Sequence, residues 1–340
     1  MPAYDKPPLT YEQQLDQLVA RGMWVEKRKR ALEILATVGY YRLSAFWETL
    51  RTESSPGAAP AFLPGVSFGQ VYERYQFDSA LRHLFLYAVN HIEVALRAGL
   101  VYHVSHRLRT GNWLTLLDIF TDPAGQARVV TKIERSLEGR KAEAFVKHYN
   151  RSYRTQTPIP PAWISLQLVT FDVLVSMYIG LRDGSLREEI ANRYGLFRDV
   201  YGSWLRCMLE ARNRSAHHMP VWNRAPYNQP TWPKKQAADI ERWLWVSSWE
   251  IERGGVDSAF AAHQRKGMPR QALTFYTVLC CACYLMDRIN PHHTFRKRLM
   301  SLASDYEASL LTEAGFPDNW LAEPLWRQAA VYSANHPLTR

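Results

Sequence analysis

The chain has 340 residues, a hydrophobic content of 47%, a charged content of 22%, a net charge of +10 and a pI near 9.4. These values are those of a globular protein with room for one large core or two ordinary domains, and the positive balance favours a polyanionic partner. Only four cysteines are present and three of them crowd into one apolar run, so neither a disulfide framework nor a zinc ribbon is indicated and reduced, buried thiols in a cytoplasmic protein are expected.

The first residues lack the apolar core of a signal peptide. Thr10 and Gln13 form a capping-box pattern that opens a helix ending near Gly22. The cationic run Glu26–Arg30 opens a second helix and reads as a solvated face. The aromatic segment Gly39–Trp47 reads as a helix docked on the core. A loop rich in proline, glycine and serine follows at Arg51–Gly65.

Ser67 and Gln70 repeat the capping-box pattern at the head of the longest helical segment. Its apolar positions Phe77, Leu81, Leu84, Phe85, Ala88, Ile92, Ala95 and Gly99 recur at steps of three and four. Asp122-Pro123 breaks the stretch after it. Prolines 158, 160 and 161 forbid a helix there and start one afterwards, apolar as far as Gly180. Another helix runs through Asp199–His218 and stops before Pro220. Further helices are expected at about Lys234–Glu252, Pro269–Ile289 and His292–Leu311. The longest apolar run, Phe275–Met286, is too short to span a bilayer, so no membrane partner is expected. No strand pattern stands out. The fold class is all-α, with an N-terminal helical segment at 1–65, a core at 66–225 and a C-terminal segment at 226–340.

Two arginine–histidine pairs are the sharpest functional signal. Arg97 precedes His103 by six positions, and Arg212 precedes His217 by five. A metal-free ribonuclease needs a base for the ribose 2′-OH, an acid for the departing 5′-oxygen and a cation for the phosphorane-like transition state. Histidine suits the first two roles and arginine the third. Positions five and six apart are rotated by roughly 140° and 240° on a helix, so a long arginine stem or a distorted turn must close the gap. Asn213 is placed to fix Arg212 or a phosphate. Glu93 is placed to orient Arg97 across one turn. Arg214, His218 and Arg224 are further RNA-contact candidates, and His218 competes with His217 for the catalytic position. Neither a metal nor a cofactor is called for. A zinc site on His103, His106, His217 or His218 would lack accompanying thiols or carboxylates. His292 and His293 read as a helix start.

LTYEQQLDQLVARGM, GYYRLSAFW, FLPGVSFGQVYERYQFDSALRHLF, HIEVALRAGLVYHVS, ARNRSAHHMPVWNR and GFPDNWLAEPLW together resemble the Abi family, the AbiD/AbiF-type bacterial abortive-infection proteins. The resemblance implies a HEPN-like helical bundle, RNA cleavage by R-x(4–6)-H motifs and antiphage defence by growth arrest. It also implies restraint, in some relatives, by a small noncoding RNA. Carried over by position, one motif is Arg97 and His103, and the other is Arg212, Asn213 and His217. The first has Ala98 where the asparagine would stand.

The leading expectation is an endoribonuclease toxin acting on an RNA substrate without metal. The alternative is an RNA-binding regulator of a phage-defence or toxin–antitoxin locus that does not cut. A DNA-binding factor ranks last. All four motif residues are expected to converge within one chain. A homodimer then remains open without being needed, and the rival is a symmetric dimer of Arg212–His217 helices.

Overall fold

The computed structural model describes residues 7–53, 60–138, 142–224, 226–231, 274–318, 320–322 and 324–327. Among them there is no strand, only isolated bridges such as Phe120 with Leu181. The all-α expectation holds. The chain forms two compact units, Met1–Leu81 and Arg82–Arg340, and the division falls inside a helix.

In the first unit α1 is Tyr11–Ala20, α2 is Arg28–Val38 and α3 is Tyr40–Ser44. The capping box at α1 is complete: Gln13 N–H donates to Thr10 Oγ1 at 3.2 Å, and Thr10 N–H donates to Gln13 Oε1 at 2.9 Å. The cations that open α2 face solvent, with Arg28 paired to Asp16 and Arg30 to Glu33. The aromatic segment is only five residues of helix, after which Phe46 and Trp47 turn into the core. Helix α4, Phe68–Leu108, starts in this unit, where Ser67 Oγ accepts from Gln70 N–H at 3.1 Å. By length and composition α4 is long and apolar enough to cross a membrane. Its apolar face is nonetheless buried in protein from Val71 to Val104, along with Arg74, Asp78 and Arg82.

The second unit carries α5 (Pro123–Leu137), α6 (Ala144–Ser152), α7 (Ala162–Ser165), α8 (Phe171–Gly180), α9 (Gly184–Asn192) and α10 (Arg198–Ala216). After them come α11 (Phe275–Ile289), α12 (Phe295–Ser304), α13 (Ala308–Glu313) and α14 (Pro324–Arg327). Asp122-Pro123 starts α5: the Asp122 carboxylate caps Gly125 N–H at 2.8 Å and proline takes the first turn.

Helix α10 is the centre of this unit and packs on α8, α9 and α11. Gly202 brings it against Tyr178, whose ring carbon would lie 3.5 Å from an added Cβ. Trp204 meets Tyr284 edge-on at 5.4 Å, and Tyr194 stacks on Tyr201 at 4.8 Å. Burial of these groups anchors α10 in the core, and its end at Ala216 and His217 is exposed.

Two expected helices are interrupted. The apolar stretch from Pro161 to Gly180 is α7, a short 3₁₀ turn at Leu166–Leu168, then α8, with Val169 in extended backbone. Uniform apolarity carries no trace of the break, which frees carbonyls that Arg97 uses. The expected His292–Leu311 helix is divided between α12 and α13. The expected helix at Lys234–Glu252 lies outside the described residues.

Candidate functional site

The second motif occupies the end of α10. Pro220 cannot continue a helix, and the chain leaves α10 through two tight turns. His217 is the cap, its N–H bonding to Asn213 O at 3.0 Å. His218 has φ of 58°, and Met219 N–H returns to Arg214 O at 2.8 Å. The Arg214 side chain closes this turn by donating to Pro220 O at 2.6 Å. Arg214 is therefore a positioning residue, and its guanidinium is committed to the loop. Beyond it, Val221 and Trp222 are buried and hold the loop down, while Arg224 stays exposed.

Arg212 is arranged differently. Its Nη1 donates to Asn213 Oδ1 at 3.0 Å, and among the described residues it forms no ion pair. A guanidinium steered by a neutral amide keeps its charge available for a phosphate. His217 is exposed at the end of the same helix. Glu210, two positions before Arg212, accepts from the backbone N–H groups of Tyr227 at 2.8 Å and Asn228 at 2.7 Å. It also accepts from Asn228 Nδ2 at 3.0 Å. The loop beyond the motif is thus fixed to the motif helix by one carboxylate.

The first motif is built otherwise. Arg97 donates from Nε to Leu166 O at 2.8 Å and from Nη2 to Glu93 Oε1 at 2.8 Å and Val169 O at 3.3 Å. The expected Glu93 contact is present. The guanidinium, only 14% exposed, is a brace between α4 and the break before α8. His103 donates from Nδ1 to Glu189 Oε1 at 2.9 Å, and Arg107 bonds the other oxygen at 3.0 Å. The His103 hydrogen bond, with help from Arg107, holds the Glu189 carboxyl below the usual range. Sequence reasoning missed Glu189, which lies far from His103 along the chain. It also missed Glu210, although a carboxylate beside ARNRSAHH was a visible signal.

The two motifs have separate hydrogen-bond partners. No hydrogen bond or ion pair joins Arg97 or His103 to Arg212, Asn213 or His217 among the described residues. His103 is held by Glu189, whose neighbour Glu188 accepts from the N–H of Arg198 at the start of α10. Arg212 lies fourteen residues further along that helix, about 21 Å by helical rise.

One cluster has metal-ligating side chains. Cys283, Asp287 and His293 each offer an atom within 4.8 Å of the others. Arg296 already supplies the cation, donating to Asp287 Oδ2 at 2.6 Å. His293 accepts from Phe295 N–H through Nδ1 at 3.1 Å, so its Nε2 carries the proton donated to Asp287 Oδ1 at 2.6 Å. The donor set is satisfied as an ion-pair network that starts α12. The helix-start reading of His293 is met, with a buried carboxylate added.

A family model described as Abi-like protein matches residues 33–223, more than half of the chain. No curated protein and no solved structure matches it. The matched span includes both motifs and, of the helices packed on α10, α8 and α9. The chain belongs to the Abi-like protein family, which implies a role in abortive infection and phage defence.

Proposed function

We propose that the chain is a metal-independent endoribonuclease toxin with a HEPN-like bundle, and that Arg212, Asn213 and His217 are its catalytic group. The observation that carries this reading is the state of Arg212. It is steered by Asn213 at 3.0 Å, has no carboxylate partner among the described residues and is followed five positions later by an exposed imidazole.

His217 takes the proton from a ribose 2′-OH, whose oxygen attacks the adjacent phosphorus. Arg212 stabilises charge on the non-bridging oxygens. The 5′-oxygen leaves and must be protonated by a second acid. One copy of this motif supplies one well-placed histidine. With Arg97 and His103 engaged elsewhere, a second copy of the chain is the natural source of the acid, through a twofold meeting of α10 ends.

Purified protein incubated with mixed RNA and EDTA tests the chemistry. Cleavage should persist and leave 2′,3′-cyclic phosphate ends. Abolition by EDTA with rescue by Mg²⁺ or Mn²⁺ would overturn the mechanism. A chain carrying Arg97→Lys should keep activity if it folds, whereas Arg212→Ala should lose it.

A further inference from the structure

Tyr102 is 56% exposed near the end of α4. Its ring is not loose. His106 lies tilted against it with centroids 4.3 Å apart, and His103 meets it edge-on at 5.1 Å. His103 is in turn anchored to Glu189, and Glu189 to Arg107. A ring braced on two sides presents its remaining surface at little cost in side-chain entropy.

The surroundings carry matching charge. Arg107 and Arg109 are exposed at the end of α4; Arg107 pairs with Glu189 and lies near Asp183, and Arg109 has no carboxylate partner among the described residues. One turn back along the same stripe, Ala98 and Val94 are exposed and apolar. A braced aromatic face beside an apolar stripe and cations is the chemistry that receives an unstacked base and its phosphate. Duplex RNA hides its base faces and would gain nothing from the ring.

From this we infer that the C-terminal end of α4 is a single-stranded RNA platform, on which a base stacks against Tyr102 while Arg107 and Arg109 take the backbone. Glu189 acts as a positioning residue, through His103. The inference rests on the RNA-directed reading above, and it gives the first motif a binding role in place of a catalytic one.

The test measures binding of a labelled, single-stranded 2′-O-methyl oligonucleotide, which has no free 2′-OH and is not cut. Tyr102→Ala should weaken binding about tenfold, the loss of one stacked base. Tyr102→Phe should bind like the parent, because the ring does the work. Tyr41→Ala, which removes another exposed tyrosine, should change nothing. An abasic version of the oligonucleotide should bind weakly and ignore Tyr102→Ala.

The idea is overturned if the parent does not bind, if Tyr102→Ala matches the parent, or if Tyr102→Phe is as weak as Tyr102→Ala. It is also overturned if the abasic strand shows the same dependence on Tyr102. Cleavage of unmodified RNA is scored separately. Tyr102-dependent binding without cleavage sinks only the nuclease reading, and cleavage with Tyr102-independent binding sinks only the platform.

Discussion

Arg97 donates to the carbonyl of Leu166 at 2.8 Å, across the point where an apolar helix breaks. This makes the two motif arginines physically different. Arg97 satisfies carbonyls that the break leaves without helical partners, and Arg212 satisfies none. Charged hydrogen bonds of this kind contribute about 1.5–3 kcal/mol each, so Arg97→Ala should cost about 2–4 kcal/mol of stability. Arg212→Ala should stay within about 1 kcal/mol of the parent while abolishing growth arrest on overexpression. Urea unfolding of the two variants decides. Equal stability losses would show that the arginines are not divided in this way.

The same comparison applies to the histidines. His217→Ala should fold normally and lose toxicity. If His218→Ala is the inactive variant, the catalytic position moves by one residue.

Glu210 predicts a loop effect. Glu210→Ala removes the acceptor for two backbone N–H groups and one side-chain amide. The segment around Tyr227 and Asn228 should become the first site of limited proteolysis, with a stability loss of about 1–3 kcal/mol. Unchanged cleavage kinetics there would show that the carboxylate does not hold the loop.

Asp287 is buried to 3% side-chain exposure between His293 and Arg296. Asp287→Asn leaves Arg296 without its carboxylate and should cost about 3–5 kcal/mol. Replacing Asp287 should lower the thermal midpoint far more than EDTA treatment of the parent does. A large shift with EDTA alone would mean that a metal sits there after all.

The thiols give a pH prediction. Burial pushes Cys207 up to about 12 and raises Cys281 and Cys283 well above their ordinary value. Their folded-state pKa exceeds that of the unfolded chain, about 8.5 for a free thiol. Their contribution to stability is therefore complete below that value and is lost as pH rises towards 12. A disulfide reagent at pH 8 should find no reactive thiol in the folded protein and four after denaturation. Rapid labelling of the folded chain would contradict the burial.

Local signals were legible in the sequence and long-range ones were not. Thr10 with Gln13, Asp122 with Pro123 and the stop before Pro220 are written in neighbouring residues, and each appears where expected. The break at Val169 is invisible because buried helix and buried turn share one apolar composition. Glu189 was missed because its partner His103 is brought to it only by packing of α9 on α4. Asp287 could have been noticed as a single carboxylate closing the apolar run of α11.

The packing of α10 on α11 also bears on synthesis. The face of α10 that carries Trp204 is covered by Tyr284, far downstream in the chain. A ribosome adding about 5–20 residues per second reaches α11 several seconds after finishing α10. Until then the helix that bears the Arg212 motif lacks its packing against α11. A chain interrupted before Phe275 would carry the whole motif yet leave that aromatic face uncovered. Completion of the C-terminal helices thus finishes the support of this helix, and truncated products should be poorly folded and prone to aggregate.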